Sequence, residues 1–179
     1  MGSNEALKIL KFYRGSAPDD KGRFLSEILS WNDSDLENIH DYIQWLFPTF
    51  ERSAFQPDIP TLTTELVSEF SRDTDLRFRL GESFHRMLQF YGFTIDQPHG
   101  TLIVNAPNFP ERSKVWLTPG NHNHLRITRI LKSLTALGLR EKAHAFLTHL
   151  EYVYEQSPSA RAAVSPRTLQ FWRSSVAYF

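Results

Sequence analysis

The chain reads as an all-α domain, a compact bundle of about seven helices with one long irregular loop or small hairpin inserted. Three observations predict this. Apolar residues recur at three- and four-residue intervals through most of the chain. Cap-type residues stand before these runs, and Gly or Pro stands after them. No alternating run is long enough for a sheet of several strands. A length of 179 residues with 41% hydrophobic residues, 14 Phe and 4 Trp, suits one domain spanning 1–179 with an aromatic-rich core.

Glu5–Tyr13 is a short first helix. Gly22–Trp31 carries Phe24, Leu25, Ile28 and Leu29 at helical spacing. Asn32-Asp33-Ser34 offers caps for a helix running from Ser34 to Phe47, stopped by Pro48. Ser53–Leu62 contains Pro57 and Pro60 and must be extended. Thr63 caps a helix to about Arg72. Asp73 or Thr74 then opens a longer one with Leu76, Leu80, Phe84, Met87, Leu88 and Tyr91 inward, closed by Gly92. Phe93–Gly120 holds four prolines and two short β-like runs, Leu102–Val104 and Val115–Leu117. It is the loop or hairpin, and unstructured loops of that length are uncommon and commonly functional. Asn123 caps a helix to Leu137, ended by Gly138. Arg140–Gln156 follows, and Ser165-Pro166 opens the last helix through Phe171 and Trp172.

Composition excludes several functions. There is no cysteine, hence no disulfide, thiolate nucleophile or Cys-ligated zinc. No 18-residue apolar run suggests a membrane span, so any membrane association is peripheral. The N-terminus lacks a signal pattern, and Ala6 breaks the myristoylation motif after Gly2. The formal charge is zero, but residues 1–75 carry 7 Lys/Arg against 14 Asp/Glu, and residues 76–179 carry 13 against 6. Opposite halves packing together explain this simply; a basic face for an anionic partner is the sharper reading. No dense Lys/Arg run points to nucleic acid. No P-loop, Rossmann, HExxH or EF-hand pattern is present, and no cofactor or metal is expected.

The chemistry concentrates in two segments. On a wheel of 100° per residue, a Ser34–Phe47 helix puts Leu36, Ile39, Ile43 and Leu46 on one stripe and Trp45 opposite, flanked by Asp41. A Trp buries most of its surface, so this helix should be covered on two sides, drawing Asp41 inside, where it needs a cationic partner. His40 and Gln44 sit at the edge of the core stripe and face the same question. After Asn121, the residues His122, Arg126 and Arg129 form a second polar stripe suited to a carboxylate or phosphate. The candidate ligand site is therefore His40, Asp41, Tyr42, Gln44, Trp45, Asn121, His122, Arg126 and Arg129. The competing reading is that these groups neutralise one another and lock the fold. His122-x-His124 diverges on a helix and is a poor metal pair.

These segments resemble the conserved region of the opioid growth factor receptor family. The matching stretches are Phe12-Tyr13-Arg14-Gly15, Pro18-Asp19 with Gly22-Arg23, His40 to Pro48, Pro60-x-Leu62-Thr63, Met87-Leu88-x-Phe90-Tyr91-Gly92, and Asn121 to Leu131. Leu137-Gly138-Leu139 and Phe171-Trp172 continue the likeness. The resemblance implies a non-enzymatic receptor or binding module for a small peptide or anionic ligand. Animal members are described as receptors for an enkephalin-type peptide, associated with the nucleus and membranes. An intracellular place is expected: cytoplasmic for a bacterial chain, nuclear or perinuclear for an animal one. The family supplies no catalytic residues. An acid–base enzyme using His40, Asp41 and His122, and an interaction scaffold with no small-molecule site, are the alternatives.

Overall fold

The structure, a computed structural model, describes residues 2–52, 59–96 and 100–177. Among these residues there are eleven helices and one two-stranded sheet. In chain order the helices are α1 (Gly2–Tyr13), α2 (Leu25–Ser30), α3 (Asp33–Asn38), α4 (Tyr42–Leu46), α5 (Thr64–Arg72), α6 (Thr74–Tyr91), α7 (Phe109–Trp116), α8 (Asn123–Ala136), α9 (Arg140–Gln156), α10 (Pro158–Ala163) and α11 (Pro166–Ala177). Strands β1 (Phe93–Ile95) and β2 (Ile103–Asn105) pair antiparallel, with Thr94 opposite Val104. The all-α expectation holds.

Local chemistry sets most of the boundaries. Thr63 accepts from the Leu66 N–H, and Asp73 accepts from the Asp75 and Leu76 N–H groups, so each fills donors that a helix start leaves open. Gly92 closes α6 in the left-handed region at φ +82°. The hairpin departs from expectation in its partner strand. Ile103–Asn105 pairs with Phe93–Ile95, while Val115 and Trp116 lie in the last turn of α7. Helix α10 adds a short turn that periodicity missed. Ser157 accepts from the Ala160 N–H and Pro158 stands at its start. The extended reading of Ser53–Leu62 falls largely on residues 53–58, outside the described residues.

Helix α6 is buried on several sides through Leu76, Leu80, Phe84, Met87, Leu88, Phe90 and Tyr91, and packs against α1, α2, α5, α7 and β1. Helix α8 buries Ile127, Ile130, Leu131 and Leu134 against α9 and α11. Between them lies an aromatic cluster. The Tyr91 ring meets Trp116 at 5.5 Å, Phe84 meets Phe146 at 5.4 Å, and Phe93 meets Trp116 at 5.7 Å, in the edge-on geometry that aromatic pairs prefer.

Candidate functional site

The expected helix Ser34–Phe47 is two helices, broken at Ile39-His40-Asp41. The cause is Arg126, brought from α8. Its guanidinium donates to the carbonyl of Leu36 at 2.8 Å, that of Ile39 at 2.9 Å and that of Glu37 at 3.4 Å. These are acceptors at the C-terminal end of α3 that no helical N–H can reach, and a cation there also opposes the helix dipole. Arg126 further donates to Nδ1 of His40 at 3.1 Å and lies over the Tyr42 ring at 5.5 Å. It is buried, so this bonding replaces the water it has lost.

The break overturns the wheel. Trp45 is buried, as its size required, but inside α4 rather than on the far face of a long helix. Its Nε1 donates to Asp20 at 3.0 Å and its ring meets Phe12 at 5.3 Å. Asp41 finds its cation in the first half of the chain, not the second. Arg23 Nη1 donates to it at 2.8 Å, while Asp19, buried, holds the other side of the same guanidinium. Asp19 also accepts from the N–H groups of Lys21 and Arg23, so the Pro18-to-Arg23 loop is a built clasp over α4. Tyr42 is buried, with its hydroxyl on the Leu36 carbonyl at 3.0 Å.

The start of α8 is equally internal. Asn121 donates to the Val115 carbonyl and accepts from the Asn123 N–H, each at 2.9 Å. Asn123 is buried and donates to Glu37 at 3.0 Å. His122 stands 3.4 Å from Glu37, and its ring meets His40 edge-on at 4.9 Å. Burial, then the Arg126 charge, depress its pKa, so it is largely neutral at pH 7. His124 turns the opposite way, to the Trp116 carbonyl at 3.0 Å, and the divergence of the two histidines is as expected. Among the described residues no group of His and carboxylates is arranged to hold a metal.

One expected site residue keeps chemistry unspent. Arg129, half-buried, donates Nη1 to the Phe47 carbonyl at 3.2 Å and has no ion-pair partner among the described residues. Burial lowers its pKa, and Glu51 offsets this only through space. Arg129 and Gln44 line a groove of about 270 Å³ with Ile43, Thr49, Glu51 and Lys132. Lys132 bonds Glu51 at 2.5 Å. Burial pushes the Glu51 pKa up, but the Lys132 bond, a backbone hydrogen bond and the charges of Lys132 and Arg129 together bring it below the ordinary value. So His40, Tyr42, Asn121, His122 and Arg126 form one interlocked cluster, Asp41 and Trp45 belong to the clasp, and Gln44 and Arg129 face the groove. Sequence reading missed Lys132, three residues beyond Arg129 on the same helix face, though that spacing was legible.

The family model for the opioid growth factor receptor conserved region matches residues 3–176. The chain is 40% identical to the opioid growth factor receptor of Rattus norvegicus over 134 residues, covering 73% of this chain and 23% of that protein. It is 39% identical to that of Homo sapiens over 134 residues, 73% of this chain and 20% of that protein. It is 37% identical to opioid growth factor receptor-like protein 1 of Mus musculus over 136 residues, 74% of this chain and 29% of that protein. The chain therefore spans between a fifth and three-tenths of the length of these relatives. No solved structure matches it. With nearly its whole length matched by the conserved region, the chain belongs to the opioid growth factor receptor family.

Proposed function

We propose that this chain is a binding module that seats the anionic group of a small ligand at Arg129, in the groove between α4, residues 49–51 and α8. The observation that carries this reading is the uncompensated guanidinium. The other cations lining the groove are answered: Lys132 by Glu51, Arg52 by Glu5, and Arg126 by the end of α3. Arg129 gives up hydration for one backbone carbonyl, and an incoming carboxylate or phosphate would complete its fork. Gln44 lines the same groove.

The acid–base alternative is poorly served. His40 and His122 meet, but Asp41 is held by Arg23, and His40 offers Nδ1 as acceptor to Arg126. The scaffold alternative gains from the interlocked cluster, which binds α3 to α8 through Asn123 and Arg126.

A thermal-shift panel tests the proposal, because a ligand that prefers the native state raises Tm. Benzoate, inorganic phosphate, short peptides as acid and amide, and Tyr-Gly-Gly-Phe-Met are the probes. At least one anion should raise Tm of the wild type and leave Arg129→Leu unmoved. The pentapeptide should bind no tighter than about 0.1 mM, because Asp41, Tyr42 and Trp45 are already engaged and cannot seat its amine and ring. No response from any anion, or an equal response from Arg129→Leu, would overturn the anion seat.

A further inference from the structure

We propose that the Arg129 groove continues into a site for a free amphipathic carboxylate, whose head sits at Arg129 and Lys132 and whose apolar body fills a bay walled by Phe50, Leu62, Ala136 and Phe171. This rests on the reading of Arg129 as an anion seat.

The bay, about 640 Å³, shares Thr49, Glu51, Thr128 and Lys132 with the groove, so the two adjoin along these residues. That size is usual for small-molecule sites. Its hydroxyls are already spent on backbone carbonyls. Thr49 donates to Glu51, Thr128 to His124, Ser174 to Gln170 and Ser175 to Phe171, at 2.7–3.2 Å. The wall therefore presents apolar surface with no polar group seeking a partner. Phe50 and Phe171 nonetheless stand 42% and 50% exposed on its rim, aromatic area that water covers and a ligand body would dry.

Among the residues that line the bay, Lys132 and Glu51 alone are charged, while the Arg167 guanidinium lies over the Phe171 ring at 5.5 Å. Lys132 stands where bay and groove meet, answered by Glu51 at 2.5 Å. Arg129, one turn earlier on α8, adds a positive charge with no direct ion pair among the described residues, and shares the Glu51 charge with Lys132 only through space. One uncompensated cation calls for a monoanion. Residues 129, 132 and 136 follow one face of α8 over about 10 Å. The geometry thus places a charged head and an apolar tail in series.

Calorimetric titration of the whole chain with acetate, butyrate, hexanoate, octanoate and decanoate, at constant ionic strength and below micellar concentrations, tests this. Each added methylene should tighten binding about three- to fourfold until the bay is full. Ser174→Trp and Ala136→Phe, which fill the bay from two different helices, should each flatten the gain in affinity from hexanoate to decanoate. Arg129→Leu should weaken every member at least tenfold. Affinity that is independent of chain length yet lost in Arg129→Leu would overturn the apolar bay and leave the anion seat standing. Affinities for the whole series that Arg129→Leu leaves undiminished would overturn the anion seat itself. No heat from any acid would overturn the site.

Discussion

Arg126 and Arg129 lie one turn apart on α8 and have opposite roles. Arg126 is buried and surrounded by the carbonyls of Leu36, Glu37 and Ile39, whose only cation it is among the described residues. Removing it takes a donor from all three carbonyls in a largely buried site, leaving Leu36 with the Tyr42 hydroxyl. Arg126→Leu should therefore cost about 3–5 kcal/mol of unfolding free energy. Arg129 is desolvated with little in return. Arg129→Leu should change stability by less than about 1 kcal/mol, or raise it, since an apolar side chain avoids the desolvation penalty. Urea unfolding midpoints of the two variants check this directly. If both variants lose equally, Arg129 is a structural residue and not a poised one.

At the scale of elements, the end of α6 is the most sharply specified point. Gly92 has φ +82°, and a Cβ there would lie 2.8 Å from the Phe109 Cα and 2.9 Å from the Arg112 Cβ. The Arg112 backbone and ring contact cannot retreat easily, because its Nε donates to the Phe90 carbonyl at 2.7 Å and its guanidinium lies over the Phe90 ring. Gly92→Ala should cost more than the roughly 1 kcal/mol of a strained left-handed residue alone, about 2–4 kcal/mol, with α7 loosened from α6; thermal melts measure it. The ends of α5, α6 and α8 were legible because Thr63, Asp73, Gly92 and Gly138 act within a few residues of themselves. The break between α3 and α4 was not, because Arg126 causes it from far along the chain. The same limit divides the site. Arg129 was legible as part of a helical stripe, whereas its concavity needs Glu51 and Phe171, which only tertiary packing brings beside α8.

Over the whole molecule, the opposite charges of the two halves meet at a few acids. Asp33 takes Arg86 at 2.9 Å and Arg112 at 3.4 Å, Glu37 takes Arg126 at 4.0 Å, and Glu51 takes Lys132. The packing of oppositely charged halves therefore accounts for much of the split. Three histidines contribute to the acid sensitivity of this assembly, beside carboxylates such as Glu51 that are held below their ordinary values. His122, His124 and His149 are all held below the ordinary value, each chiefly by burial. His149 is the furthest shifted, down to about 4. It is buried between Phe93, whose ring meets it at 4.8 Å, and Asn105, which bonds Nε2 at 2.9 Å. Because its folded pKa lies below its unfolded one, His149 leaves stability unchanged above about pH 6.5. As pH falls from there toward 4, the unfolded chain takes up a proton that the native state refuses, and stability drops by up to about 3 kcal/mol. Urea unfolding at pH 7.5, 6.0 and 5.0 should show that decline, and His149→Gln, which keeps a partner for Asn105 without titrating, should flatten part of it. The hairpin, pinned to α9 through His149 and Asn105, should be where acid loosening begins. Hydrogen exchange of the β1 and β2 amides at pH 5 would show it, and protection there equal to that of α8 would place the acid-sensitive point elsewhere.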